Sequence, residues 1–251
     1  MARQRSIVKL EGTIGDITFL KTRDGYMAKE KSYVSSERIA SDPAFQRTKE
    51  NNAEFGRAGK AGKVLRSAFR NQLLFAKDSR VISRLVTEMM RVIKADTTSM
   101  RGERNVLDGD LMFLEGFDFN VHGKLSTTLF ALYQATIDRV TGNASVSIDP
   151  YIPLNQIAAP SGTTHFKIRS AAAEVDFLSG NYIFDEQESA ILPWDNLATA
   201  ALTLSNALTA NSAQPIFLVL GIEFLQQVNG SHYPLKNGAF NALSLVKVDV
   251  V

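Results

Sequence analysis

Thr136-Ile137-Asp138-Arg139-Val140-Thr141-Gly142-Asn143-Ala144-Ser145-Val146-Ser147-Ile148 decides how the larger part of this chain is read. β-branched and apolar residues alternate with polar ones on both sides of Thr141-Gly142-Asn143. A period of two puts successive side chains on opposite faces of a strand. Gly and Asn at the centre supply the backbone freedom of a tight turn. The stretch therefore predicts two short antiparallel strands and their turn.

The same texture continues toward the C-terminus. His165-Phe166-Lys167-Ile168-Arg169 and Glu174-Val175-Asp176-Phe177 read as strand, and Ser179-Gly180-Asn181 as the next turn. Ala201-Leu202-Thr203-Leu204, Ile216 to Phe224 and Leu243 to Val250 complete the set. About seven or eight short strands with regular turns predict an antiparallel, jelly-roll-like β-sandwich over residues 111–251. The longest apolar run, Pro215 to Ile222, is far short of the ~20 residues that cross a bilayer. No period of roughly 20–50 residues repeats, so a solenoid is not expected.

Upstream the period changes. Residues 96–110 (ADTTSMRGERNVLDG) read as a linker. Over 79–95 a helix is predicted, with Val81, Ile82, Leu85, Val86, Met89, Val92 and Ile93 on one face and Arg80, Arg84, Glu88, Arg91 and Lys94 on the other. Over 57–70, Ala58, Ala61, Gly62, Leu65, Ala68, Phe69 and then Leu73 share an apolar arc. Arg57, Lys60, Lys63, Arg66 and Arg70 share a basic one. Gly56, Gly59 and Gly62 each weaken the helix by about 1 kcal/mol relative to Ala. Three together predict a close backbone approach or a break. Asp42-Pro43 opens this region, with Asp as N-cap and Pro in the first turn. Residues 42–95 are thus expected to form a basic helical hairpin.

Residues 1–41 read as an extended arm and a β-hairpin. Thr22-Arg23-Asp24-Gly25 separates Ile17–Leu20 from Tyr26–Lys29, and Asp-Gly is a strong hairpin signal. Gly12 and Gly15 would let the arm turn sharply. A few strands cannot stand alone in water, so this segment needs another surface. The expected class is α+β.

Charge follows the same boundary. Residues 1–105 hold 22 of the 28 Lys and Arg against 12 of the 26 Asp and Glu, a net +10. Residues 106–251 hold 6 against 14, a net −8. Asp185-Glu186-Gln187-Glu188 is the densest acidic cluster, read as a loop.

Chemistry-bearing motifs are sparse. There are no cysteines, which excludes disulfides and thiolate catalysis. His122, His165 and His232 show no metal-ligand spacing. Asp108-Gly109-Asp110 lacks the remaining acids of a calcium loop. Gly56-x-x-Gly59-x-x-Gly62-Lys63 does not have the spacing of a phosphate-binding loop, and no serine sits in Gly-x-Ser-x-Gly. No catalytic, cofactor or metal residue is predicted.

The segments Gly12 to Tyr26, Arg38-Ile39-x-x-Asp42-Pro43-Ala44-Phe45-x-Arg47-Thr48 and Glu54 to Lys63 resemble a family of uncharacterised proteins of Bacteroidota bacteria. Val228-Asn229-Gly230, Tyr233-Pro234-Leu235 and Asn237-Gly238-Ala239 are similar to its C-terminal segment. The resemblance is most specific over residues 12–70 and implies no activity or cofactor. The layout of arm, basic helices and β-domain also resembles phage-tail-like and filament-forming structural proteins.

The leading expectation is a non-enzymatic structural subunit that assembles with copies of itself into a filament, tube or shell. Its contacts would be head to tail, with the arm adding strands to a neighbour's sheet. Arg57, Lys60, Lys63, Arg66 and Arg70 would meet Asp185, Glu186 and Glu188 of the next subunit. The alternative is a nucleic-acid-binding protein that uses the basic faces of residues 57–94. A second alternative is a ligand- or carbohydrate-binding sandwich with Trp194, Tyr182 and Tyr233 as platforms. The N-terminus lacks the apolar core of a signal peptide, so a cytoplasmic protein without a membrane span is expected, with release in an extracellular particle compatible with that.

Overall fold

The structure is a computed structural model that describes residues 1–31, 34–76 and 78–250. The expected segments reach residues 32, 33, 77 and 251, which lie outside the described residues. The chain forms two compact units, residues 1–51 and 52–251.

The first unit holds β1 (Ala2–Arg3), β2 (Gly12–Ile14), β3 (Ile17–Thr22), β4 (Gly25–Glu30) and the short helix α1 (Ser36–Ser41). The strands form one antiparallel sheet in the order β1-β4-β3-β2. The hairpin expected at Thr22 to Gly25 is present, with Thr22 opposite Gly25. Gly25 has φ +106° and Gly15 has φ +56°, conformations that favour glycine. Asp42 caps the turn of Pro43–Phe45 by accepting from the Ala44 N–H, as the Asp-Pro pair predicts. Helix α1, capped by Ser35, was not anticipated. No described residue of 1–51 is buried.

Helix α2 (Gln46–Ala68) begins in the first unit and lies from residue 52 onward in the second, whose other helices are α3 (Arg70–Phe75), α4 (Val81–Lys94), α5 (Leu125–Thr128) and α6 (Pro153–Gln156). Its strands are β5 (Tyr133–Asp138), β6 (Asn143–Ile148), β7 (His165–Val175), β8 (Tyr182–Glu188), β9 (Leu192–Pro193), β10 (Leu202–Ala207), β11 (Ile216–Val228), β12 (Ser231–Pro234) and β13 (Ala242–Asp249). One sheet runs β10-β6-β5. The other runs β12-β11-β7-β8, with β13 also on β11 and β9 also on β7. The α+β class holds.

β11 is the centre of this unit. Its first ten residues, Ile216 to Leu225, are all buried. Phe217 and Val219 face a core shared with α2 and α4, while Leu218, Leu220, Ile222 and Phe224 face a second core shared with β6 and β10. A continuous apolar run is what a strand covered on both faces requires. Gly221 is needed for close approach: a Cβ there would lie 2.8 Å from the Ala242 carbonyl oxygen. Opposite the Leu218/Val219 step, β13 carries an irregularity, its partners passing from Lys247 to Leu245. The extra residue changes the parity of the strand. Leu243, Leu245 and Val248 therefore all reach the helix-side core.

The helices follow the predicted apolar arcs with two differences. Ala58, Ala61, Gly62, Leu65 and Ala68 are buried on α2, and Val81, Leu85, Met89, Val92 and Ile93 on α4. Ile82, placed on the apolar face by its spacing, is exposed at the margin of that arc. The expected glycine break is absent, and α2 runs unbroken to Ala68. A Cβ at Gly56 or Gly59 would meet nothing within 4 Å, and one at Gly62 would make ordinary contact with Leu85 and Met89. The break falls instead at Phe69, whose φ −97° and ψ 25° leave the helical region.

Phe69 is fully buried, with ring centroids 6.3 Å from Phe119 and 6.1 Å from Phe184. Phe69→Asp should cost more than the ~3–5 kcal/mol typical of losing a buried Phe. Exposed Arg70→Asp should stay within ~0.5 kcal/mol. Urea midpoints compare them, and equal midpoints would contradict this assignment of the helix face.

Candidate functional site

The buried stripe of α2 begins one turn earlier than the apolar residues show. Glu54 stands four residues before Ala58 and is fully buried. Its carboxylate accepts from Arg104 Nε at 2.7 Å, Arg104 Nη2 at 2.8 Å and the Gly102 N–H at 2.8 Å. The Arg104 guanidinium beside Glu54 holds its carboxyl below the usual range, against the opposing effect of burial. On the next turn Arg57 Nη1 donates to the carbonyls of Gly102 and Arg104 at 2.7 and 3.1 Å. Asp96 accepts from the Thr98, Ser99 and Asn105 N–H groups. The stretch 96–110, read from sequence as a linker, is thus tied onto α2.

That loop builds a pocket of about 450 Å³. Ala61, Val106, Leu107, Phe177 and Leu178 supply apolar walls; Arg57 and Lys60 bring cations, and Asn105 and Asp108 polar groups. Of the five basic residues singled out from sequence, Arg57 and Lys60 meet here. Lys60, Lys63 and Arg70 are exposed. Arg66 is half-buried and donates to the Gly62 carbonyl within its own helix.

Two adjoining grooves along α4, of about 460 and 510 Å³, collect more charge. There Arg84 pairs with Asp78 and donates to the Asp118 carbonyl at 2.7 Å. Arg91 pairs with Glu88 at 2.7 Å and lies over Phe113. Burial penalises the Asp78 carboxylate, yet hydrogen bonds from the Val121 and Arg80 N–H groups and from Arg84 leave its pKa lowered. Burial raises the pKa of Asp118 and of Tyr133, the latter also through the charges of Asp118 and Glu115. Most of the strong charges in these grooves are already matched, which makes them structural before anything else.

The acidic cluster is not a loop but part of β8, whose partner strand is β7. Glu188 pairs with Lys167 at 2.9 Å and with Arg169 at 3.1 Å. Glu186 accepts from Gln72 of α3 at 2.8 Å, and Asp185 from the Ala207 N–H at 2.9 Å. Within the chain the acidic strand is tied to the helical region by Gln72, and the basic partners of Glu188 are Lys167 and Arg169 of β7 rather than the five helical cations. Tyr182 and Tyr233 lie on opposite edges of the sheet, and Trp194 donates to the Ile157 carbonyl, so the three do not form one platform.

Asp110 caps the turn of Leu111–Leu114, and Asp108 accepts from Asn105, so Asp108-Gly109-Asp110 serves local structure. Among the described residues no group of three or more His, Asp or Glu could hold a metal ion. His165 and His232, distant in sequence, are brought together across β11 with ring centroids 4.5 Å apart. Spacing in sequence cannot show this, because the two strands are neighbours of a third. No helix among the described residues is long and apolar enough to cross a membrane. No protein-family model, curated protein or solved structure matches the chain.

Arg104→Leu should lower stability by about 3–5 kcal/mol, the cost of leaving a buried charge without its partner. Exposed Lys60→Ala should change it by no more than ~0.5 kcal/mol. Denaturant unfolding of both variants checks this contrast.

His165 gives a pH dependence. Burial, then the neighbouring His232, lowers its pKa from 6.5. The unfolded chain then takes up this proton more readily than the folded one. Its contribution should destabilise the fold progressively as pH falls below 6.5, levelling off once the folded pKa is passed. His165→Gln should remove that part of the slope between neutral and mildly acidic pH, as followed by thermal unfolding.

Proposed function

We propose that this protein is a non-enzymatic structural subunit that assembles with copies of itself. The observation that carries the reading is the sheet of residues 1–51, in which no described residue is buried. By register, Ile14, Ile17, Phe19, Tyr26 and Ala28 share one face of that sheet, with Lys21 and Glu30 toward its ends. Ile14 is 64% exposed and Ile17 is 47% exposed. A small sheet that leaves apolar side chains in water gains stability when they are covered. The finer reading of the β-rich region is a sandwich-like body.

The acceptor we favour is β8 of another copy. The Ser189 N–H donates to the Ile168 carbonyl and the Asp176 N–H to the Asn181 carbonyl. Antiparallel alternation then directs the backbone of Phe184 and Glu186 away from β7, to the side of β8 on which no strand pairs among the described residues, although Asn206 and Ala207 of β10 approach it at Asp185. Ile183 on this strand is 48% exposed. Residues 1–10 carry Arg3, Arg5 and Lys9 and no acid, which complements Asp185 and Glu186. The C-terminal strand, expected to need a partner, does not offer the same edge. β13 is covered by residues 116–119 through bonds between Gly116, Phe117 and Phe119 and its Leu243 and Leu245.

Sedimentation velocity and negative-stain microscopy test this reading. The full chain should form large particles. Deletion of residues 1–31 should leave a monomer with its β-structure intact. Ile183→Lys, a charge on β8, should also block assembly without unfolding. A monomeric full chain, or a truncated chain that assembles normally, would overturn the proposal.

A further inference from the structure

We infer that the pocket beside Arg57 and Lys60 binds a free medium-chain carboxylic acid, with its carboxylate at Lys60 and its chain against Leu107, Phe177 and Leu178. This goes beyond assembly and is independent of it, because no pocket residue lies in residues 1–51 or on β8.

The volume comes first. About 450 Å³ falls within the roughly 300–1,000 Å³ of small-molecule sites. The walls give the class of the tail. Leu178 is 84% exposed and Leu107 is 40% exposed, side by side with Phe177 in one concave surface. Covering them removes apolar area from water, and an alkyl chain does this without demanding hydrogen bonds.

Charge gives the class of the head group. In the α4 grooves Arg84 and Arg91 are paired with carboxylates. Here Lys60 has no described partner, and Arg57 uses only Nη1, on the Gly102 and Arg104 carbonyls. Asp108 is the single acid of the lining, held by Asn105 Nδ2 at 2.6 Å. Two cations against one acid favour an anion. The nearby Asp108 carboxylate disfavours a second negative charge, so a carboxylate suits the site better than a phosphate.

The wall is also held before any ligand arrives. Glu54 and Arg57 fix Gly102 and Arg104, and the Asn105 side chain accepts from the Leu107 and Asp108 N–H groups. A preformed wall reduces the ordering that binding requires.

The test is calorimetric titration of the full chain with hexanoate, octanoate, decanoate and dodecanoate below their micelle concentrations. Decanol and decyl phosphate are the controls for charge. The expected result is one saturable site. Affinity should rise up to about fourfold per methylene, which is ~0.8 kcal/mol. Decanoate should bind about tenfold more tightly than decanol, as one charge-assisted hydrogen bond supplies, and more tightly than decyl phosphate. Lys60→Gln should abolish the preference for acid over alcohol and keep the chain-length trend. Leu178→Asp should lose both. Both side chains are exposed, so neither variant should unfold. Absence of a saturable site, equal affinity for acid and alcohol, tighter binding of decyl phosphate, or an unchanged Lys60→Gln would each overturn the inference.

Discussion

The residues from 52 onward depend on a strand that must be covered twice. β11 sends Phe217 and Val219 to one side and Leu218, Leu220, Ile222 and Phe224 to the other. Neither set can face water, so the sheet needs a layer on each face. The helices α2 and α4 supply one, and β5, β6 and β10 supply the other. Burying a large aliphatic or aromatic side chain is worth about 1.5–3 kcal/mol. With both faces of one strand so engaged, the two cores are coupled through β11 itself. The small residues of β7, Ala171, Ala172 and Ala173, are fully buried between the same two layers.

This coupling changes the meaning of the charge split. Along the chain the basic helices and the more acidic strands look like two bodies with different tasks. Within the second unit they share a core, and polar contacts join them. Gln72 reaches Glu186 from α3. Arg169 of β7 lies over Phe75, with its guanidinium carbon 3.9 Å from the ring centroid, and is held by Glu223. Much of the charge that sequence offers to a partner is therefore matched internally. Among the described residues, Lys60, Lys63 and Arg70 stay exposed on the helices.

The legible parts of the fold were those written in local periodicity. The turn at Gly142, the hairpin at Thr22 to Gly25 and the buried arcs of α2 and α4 follow from spacing and turn chemistry. Glu54 was missed because a carboxylate on a helix is read as solvated, although its position on the Ala58-Ala61-Leu65 stripe placed it inside. The 96–110 segment looked like a linker because the groups that fix it, Glu54 and Arg57 of α2, lie far from it in sequence. The contact of His165 with His232 and the pocket beside Lys60 depend on which strands and loops become neighbours. Periodicity is silent on both.

The central claim is that the helices and both sheets after residue 52 unfold together through β11, whereas the sheet of residues 1–51 lacks a core. Native-state amide hydrogen exchange on dilute, unassembled protein measures this directly. The expected result is that core amides of β11 and α4 exchange with the same, highest free energy, while those of β3 and β4 exchange far faster. If α4 opened well before β11, or if the β3–β4 amides were as protected as β11, the claim would be contradicted.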